Sequence, residues 1–191
     1  MTYLDHAATT DVRPEVIEAM TSVLGTTGNA SSLHAAGRYA RKLVEMAREQ
    51  VAQALECLPS EVVFTSGGTE ADNLAVKGLY WSRHTADARR VRVLASAIEH
   101  HAVLDPVQWL VDFEGAVVEW IPVNAEGVID VDWLQAAIER EPESVALISV
   151  MWANNEVGSV KPIEDVVALA AAHGIPVHSD AVQAVGSLPV S

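Results

Sequence analysis

Five short apolar segments, each followed by a turn and then by a stretch of helical periodicity, constrain the fold of this chain more than any other feature. The predicted strands cover residues 62–65, 91–95, 117–123, 145–150 and 175–178. They are apolar without strict alternation, which is typical of parallel strands covered on both faces. The sequence therefore predicts an α/β fold with a doubly wound, mainly parallel sheet flanked by helices.

Capping residues and apolar spacing predict the helices. Two of them precede the first strand, over residues 14–24 and 33–55. Four more follow the strands and begin at Thr69, His101, Asp130 and Pro162. Ligands of such folds bind beyond the carboxyl ends of the strands, so polar residues that follow the strands are the candidate site residues.

Composition excludes several classes of function. The chain has 191 residues, with 12 Lys and Arg against 26 Asp and Glu, and the net charge of −14 argues against nucleic acid or anionic lipid as a partner. The longest uncharged apolar run, residues 145–153, is too short to cross a membrane, and we expect no secretory signal. A single cysteine, Cys57, cannot form an internal disulfide, which favours a cytoplasmic location.

The first polar cluster, Thr-Ser-Gly-Gly-Thr-Glu at residues 65–70, joins a predicted strand to a predicted helix. Glycines allow backbone amides to approach an anion, and a helix N-terminus favours phosphate. A tight turn in which Thr69 caps the helix explains the cluster equally well. Both interpretations stay open from the sequence.

The second cluster, Glu99-His100-His101, follows the second predicted strand. Neighbouring side chains of an extended segment point in opposite directions, so we expect only one of the two histidines to face a ligand. A histidine of this kind is more often structural than functional.

The third cluster, residues 152–158, contains Asn154 and Asn155 after a buried strand. These asparagines build an Asx turn or donate to a ligand oxygen, and the sequence favours neither.

The fourth cluster follows the last strand, which Asp180 is predicted to end. A short helical turn there would bring Gln183 to the same side as Asp180.

Other catalytic classes find little support. The seven histidines show no zinc-binding spacing, so we expect no metal, and a Gly-x-Ser-x-Gly nucleophile motif is missing.

In their order along the chain, these clusters resemble the cysteine desulfurases of the class V aminotransferase superfamily, which use pyridoxal 5'-phosphate. The resemblance covers the whole chain and is closest to the housekeeping type that serves iron-sulfur cluster assembly. It is carried by residues 3–10, 28–34, 65–73, 99–100 and 154–158, and by Asp180 with Gln183.

The resemblance assigns a role to each matching residue. Gly68 and Thr69 would bind the cofactor phosphate, and His100 would stack on the pyridine ring and act in proton transfer as the catalytic residue. Asn155 would bind the ring hydroxyl or the substrate carboxylate. The two remaining residues are Gln183, which would reach the ring hydroxyl, and Asp180, which would keep the pyridine nitrogen protonated.

The chain departs from the family pattern at two functional positions. The family's cofactor-bearing lysine and sulfur-accepting cysteine lie in segments beyond residue 191, and the lysines present, Lys42, Lys77 and Lys161, lie in other contexts. The chain therefore looks like the first half of such an enzyme. We expect an N-terminal segment over residues 1–15 and an incomplete cofactor-binding domain over 16–191, without the small C-terminal domain.

The resemblance implies removal of sulfur from L-cysteine, giving L-alanine and an enzyme persulfide. It also implies a homodimer that passes sulfur to an iron-sulfur scaffold or another acceptor protein. Two alternatives stay open: a selenocysteine lyase or other class V aminotransferase, and a catalytically silent fragment without the lysine and the cysteine.

Overall fold

A computed structural model of the chain describes residues 2–190. These residues form two compact units, one of residues 2–64 with residue 190 and one of residues 65–189. The domain division expected after residue 15 stays a prediction.

The first unit contains two of the predicted helices. Helix α1, Pro14–Leu24, begins at a proline, whose fixed φ suits the first helical turn, and it buries none of its residues. Helix α2, Ala35–Ala54, begins after His34, whose Nδ1 accepts a hydrogen bond from the Gly37 amide. Both helices are confirmed, the second with slightly narrower bounds.

The strand predicted at residues 62–65 is wrong. The amide of Val62 donates to the Pro59 carbonyl in a 3-10 turn, and the side chain of Arg48 donates to the Val62 carbonyl. Among residues 2–190, no strand pairs with this segment, and Val63 is 66% exposed. Apolar β-branched residues alone do not make a strand, because a strand is defined by the ladder that it forms with a neighbour.

The second unit is a parallel sheet with helices between its strands. The strands are β1 (Arg92–Ser96), β2 (Val117–Ile121), β3 (Val145–Ser149) and β4 (Val177–His178), in the order β2-β1-β3-β4. The helices are α3 (Gly68–Ala86), α4 (His101–Glu114), α5 (Val131–Arg140) and α6 (Ile163–Ala171). The predicted α/β fold is confirmed, with four of the five expected strands.

Apolar layers cover both faces of this sheet. On one face Leu94 and Ile148 pack with residues of α5 and α6, such as Leu134. On the other face Val93 and Leu147 pack with residues of α3 and α4. Since neighbouring residues of a strand point to opposite faces, a strand covered on both sides needs apolar residues at successive positions. This explains the unbroken apolar runs in the sequence.

In the described part of the chain, every helix is too short or too polar to span a lipid bilayer.

Candidate functional site

The polar clusters of the second unit surround two cavities. The Gly68 cavity, of about 350 Å³, is lined by the start of α3 and by residues that follow or end β4, including Gly68, Asp72, His178, Ser179, Asp180 and Val182. The His100 cavity, of about 470 Å³, is lined by residues that follow β1 and β3, including Glu99, His100, His101, Asn154 and Asn155. Both cavities are of the size that small-molecule ligands occupy in proteins.

Helix α3 presents its N-terminus at the Gly68 cavity. The helix begins at Gly68 and its N-cap is Gly67, which has no side chain to bond the first amides. The interpretation in which Thr69 caps this helix is therefore wrong, because Thr69 lies inside the first turn. Uncapped amides and the helix dipole favour an anion at this position. Thr69 is exposed and is not among the residues that line the cavity.

Asp180 lines the same cavity as Gly68. It is 8% exposed, its Oδ1 accepts a hydrogen bond of 3.0 Å from the Val182 amide, and its carbonyl accepts one from the Trp152 amide. Strand β4 ends at His178, the last residue of the predicted strand, and Asp180 lies two residues beyond it. Gln183 is half-buried in the turn that follows Asp180. A helix start without a side-chain cap and a buried carboxylate thus face one cavity.

The two adjacent histidines both line the His100 cavity. His100 is the N-cap of α4, where its Nδ1 accepts from the Ala102 amide at 3.1 Å, and His101 is the first residue of the helix. Their rings lie 6.5 Å apart at 80°. Both histidines line this cavity because the chain turns into a helix at this point, so the extended-chain rule does not apply; the expectation that only one of them faces a ligand stays a prediction.

The two asparagines divide the roles that the sequence left open. Asn154 is buried; its Oδ1 accepts from the amides of Glu156 and Val157, and its Nδ2 donates to the Ile98 carbonyl at 2.9 Å. These are the bonds of an Asx turn that also holds the loop after β1. Asn155 is half-exposed and its side chain bonds only weakly, to Glu156 Oε1 at 3.4 Å. Asn155 therefore has a carboxamide to offer to a ligand.

Glu99 is a site residue to which the sequence analysis gave no role. It is 6% exposed, and its Oε1 accepts a hydrogen bond of 2.6 Å from the Met151 amide. Burial, together with the negative charges of Asp180 and Asp72, raises the pKa of Glu99 to about 8. The carboxyl group is therefore largely protonated at neutral pH. No local sequence signal separates such a buried glutamate from a surface one.

Lys161 is a second buried ionisable residue. From the sequence it was notable only as the residue before the helix start at Pro162. It is 2% exposed, and its Nζ donates to the carbonyl and hydroxyl oxygens of Ser159. Burial lowers the pKa of Lys161, and the charge of Glu99 opposes that shift. Lys161 and Glu99, which lines the His100 cavity, thus influence each other electrostatically.

Comparisons with known proteins place these residues in a family. The family described as "Aminotransferase class-V" matches residues 2–191. An IscS-like cysteine desulfurase of Mycobacterium tuberculosis is 55% identical over 190 residues, covering 100% of this chain and 48% of the relative. A cysteine desulfurase IscS of Dictyoglomus turgidum is 43% identical and covered to 46%. The chain therefore spans about half the length of the curated relatives it matches.

A solved structure supports the same assignment. A NifS-like protein superimposes with a TM-score of 0.90 at 36% identity, over 100% of this chain and 51% of that protein. Similarity at this level covers the sheet, its helices and the loops that line both cavities. On sequence and structure together, the chain belongs to the class-V aminotransferase family.

Proposed function

We propose that this chain is the cofactor-binding half of a cysteine desulfurase that binds pyridoxal 5'-phosphate in the Gly68 cavity. The observation that carries the proposal is that Gly68 and Asp180, more than a hundred residues apart in the sequence, line one cavity. The names of the relatives support the reaction, and the uncapped helix start opposite a buried carboxylate supports the cofactor.

The residues at the Gly68 cavity fit this cofactor. The cavity of about 350 Å³ holds a dianion-binding helix start, a carboxylate and the buried Oγ of Ser179, which has no hydrogen-bond partner among residues 2–190. Bound pyridoxal phosphate supplies an electron sink for the charge left on a substrate carbon that has lost a proton. The first amides of α3 would bind its phosphate, and the Asp180 carboxylate would hold the proton on its ring nitrogen.

Residues of the His100 cavity would act on the substrate side. His100, whose Nδ1 is held by the Ala102 amide, would stack the face of its imidazole on the cofactor ring and use its other ring nitrogen, Nε2, for proton transfer. Asn155 would donate its carboxamide to the ring hydroxyl or to the substrate carboxylate. Gln183, in the turn after Asp180, would reach the ring hydroxyl, and Thr69 would add its hydroxyl to the phosphate site.

We propose L-cysteine as the substrate and L-alanine as the product. Support comes from the relatives' names and from a structure described as SspA in complex with cysteine, which superimposes with a TM-score of 0.88 at 36% identity and covers 96% of this chain and 51% of that protein. A homodimer, an iron-sulfur scaffold as sulfur acceptor, and a cytoplasmic location are further parts of the proposal that rest on the resemblance.

The first experiment tests the cofactor. Purified chain is titrated with pyridoxal phosphate, beside an Asp180→Asn variant and an Asp105→Asn variant. The second variant removes a carboxylate that is exposed on α4. Removing a charge that bonds the ring nitrogen is expected to weaken binding about tenfold to hundredfold. The Asp105 variant should bind as the unchanged chain does. Equal affinity of all three proteins would remove Asp180 from the site.

The second experiment tests the reaction. The chain is fused to the second half of the Mycobacterium tuberculosis relative and supplied with L-cysteine, L-selenocysteine or an amino donor. Release of alanine from L-cysteine supports the desulfurase, whereas preference for selenocysteine or transfer of an amino group supports another member of the family. The Asp180→Asn fusion serves as the inactive comparison.

A specific observation favours a catalytically silent alternative for residues 1–191 on their own. Among the residues that line the two cavities, none is a lysine. Lys77 lies 4.3 Å above the Trp109 ring, and Lys161 is bound to Ser159. Borohydride treatment of the chain with pyridoxal phosphate, followed by peptide mapping, should therefore label no single lysine. Stoichiometric labelling of one lysine would contradict this alternative.

A further inference from the structure

A buried contact joins the two walls of the Gly68 cavity. Asp72 lies on α3, one turn after Gly68, and His178 is the last residue of β4, two residues before Asp180. His178 Nε2 lies 3.3 Å from Asp72 Oδ1, and the two side chains are only 9% and 8% exposed. The pair thus connects the helix that starts at the cavity to the strand end that carries the carboxylate.

A third side chain fixes the direction of the histidine ring. Ser149, a fully buried residue at the end of β3, places its Oγ 2.9 Å from His178 Nδ1. An ionised carboxylate only accepts hydrogen bonds, so the Nε2 that faces Asp72 is the nitrogen that carries a hydrogen, and the Ser149 hydroxyl, which can donate or accept, meets Nδ1. Ser149, His178 and Asp72 therefore form one chain of contacts across three elements of the second unit.

This chain of contacts is poorly suited to a purely structural role. Asp72 Oδ2 is buried and has no hydrogen-bond partner among residues 2–190, although Asp72 lines the cavity. A buried carboxylate that lacks half of its partners costs stability, and an apolar pair of similar volume would pack at a lower cost. The pair is more easily explained by what it holds in place.

We propose that the Asp72–His178 contact is a positioning device that holds the α3 start and Asp180 at the separation required by one ligand that binds both. The inference rests on the proposed function, since pyridoxal phosphate is such a ligand: its phosphate suits the amides at Gly68 and its ring nitrogen suits Asp180. Asp72 and His178 act through Gly68 and Asp180 and are positioning residues, not catalytic ones.

Loss of the Asp72–His178 contact should affect ligands that bind at both points and not ligands that bind at one. A ligand with two linked groups gains affinity only while both of its binding points are held at the matching distance, because the second contact is then intramolecular. A ligand that uses one point is indifferent to that distance. Loss of the contact should therefore weaken pyridoxal phosphate and leave inorganic phosphate and pyridoxal almost unchanged.

The test measures the dissociation constants of these three ligands by equilibrium dialysis with the whole 191-residue chain. Asp72→Ala is expected to weaken pyridoxal phosphate about tenfold and to change the constants for phosphate and pyridoxal by less than about twofold. Ser149→Ala removes only the hydroxyl at Nδ1 and should give a smaller loss of the same kind. His178→Gln keeps an N–H donor toward Asp72. It should therefore retain more of the preference for pyridoxal phosphate over phosphate and pyridoxal than His178→Ala does.

Asp105→Ala provides the matched control, because Asp105 lies 3.2 Å from His101 Nδ1 in a pair of the same chemistry that is exposed. The inference is overturned if Asp72→Ala and Ser149→Ala keep the preference of the unchanged chain, or if they weaken all three ligands equally, which is the result of general unfolding. If Asp72→Ala does not fold, the serine and glutamine variants decide. An unchanged chain that does not prefer pyridoxal phosphate over its two parts overturns the proposed function, and this inference with it.

Discussion

Buried charges at the two ends of strand β1 are treated in opposite ways. At the amino end, Arg92 is 5% exposed, and its guanidinium donates to Glu119 Oε1 at 2.6 Å and to Ser144 and two carbonyl oxygens. Beyond the carboxyl end, Glu99 keeps one buried oxygen without a hydrogen-bond partner among residues 2–190, and so does Asp72 of α3, whose charge acts on Glu99. One end of the strand satisfies its charge fully, and the other end leaves charges partly unsatisfied.

This difference distinguishes charges that stabilise the fold from charges that serve a ligand site. Burial opposes ionisation of Glu119, but hydrogen bonds from Arg92 and Arg140 hold the pKa of Glu119 below its usual range. At the opposite end the pKa of Glu99 is raised instead, because burial and nearby carboxylates act in the same direction. Unsatisfied polar groups and shifted pKa values are typical of sites that bind ligands. Among residues 2–190, the carboxyl end of the sheet holds three such buried oxygens, on Asp72, Glu99 and Ser179, whereas the unsatisfied buried atom toward the amino end is Nε of Arg83, whose guanidinium bonds the Gly174 carbonyl.

The largest expected effect on stability comes from removing the hydrogen bonds of Arg92 at the amino end of β1. Arg92→Ala leaves the partly buried Glu119 with one partner fewer and is expected to lower the free energy of unfolding by about 3–5 kcal/mol. Arg89→Ala, which breaks an exposed pair with Asp87, should leave the unfolding free energy nearly unchanged. Urea unfolding followed by tryptophan fluorescence measures both values. Similar losses in the two variants would contradict the structural role of Arg92.

The next effect distinguishes the two asparagines of the loop after β3. Asn154→Ala removes the Asx turn and the bond to Ile98, and is expected to cost about 2–3 kcal/mol of unfolding free energy. Asn155→Ala should leave stability within about 0.5 kcal/mol and weaken ligand binding instead. Unfolding and pyridoxal phosphate titration on both variants test this division, which fails if the two losses are exchanged.

A pH-dependent effect is expected from Glu99. Its folded pKa of about 8 lies above the ordinary value of 4.5, so its contribution to stability is complete below pH 4.5 and is lost as the pH rises through 8. Between pH 6 and pH 8 the unfolding free energy should fall by about 2 kcal/mol from this group. Glu99→Gln, which mimics the protonated acid, should remove that loss. Parallel pH profiles for the two proteins would place the titration elsewhere.

The smallest expected effect on stability comes from Lys161, the buried amine that interacts with Glu99. Lys161→Met replaces a buried amine by an apolar chain of similar shape and should change stability at pH 7 by no more than about 1 kcal/mol. Because the Lys161 charge lowers the pKa of Glu99, the variant should also move the Glu99-dependent decline to higher pH. A pH profile that does not move would show that the two groups are not coupled.

Much of the fold follows from local rules, and the site does so only in part. The helices at Pro14 and His101 and the apolar strands were predictable because caps and periodicity are local. The strand expected at residues 62–65 was not, because pairing depends on a distant partner.

The position of the polar clusters after the predicted strands identified them, and the resemblance assigned their roles, whereas their arrangement depends on tertiary structure. The contact between Asp72 and His178 joins residues more than a hundred positions apart, and the burial of Lys161 depends on the fold around it. Likewise, His101 joins His100 at one cavity because α4 begins there, which a count of alternating positions could not show.

The strand order β2-β1-β3-β4 has a consequence for synthesis on the ribosome. The walls of the Gly68 cavity come from the first helix of the second unit and from the segment that ends and follows its last strand, and three strands, β1, β2 and β3, are synthesised in between. A nascent chain therefore has no cavity until residues near 185 have emerged, and every earlier length exposes the α3 start to water. Binding of pyridoxal phosphate by nascent chains of defined length would show the length at which the sheet is complete.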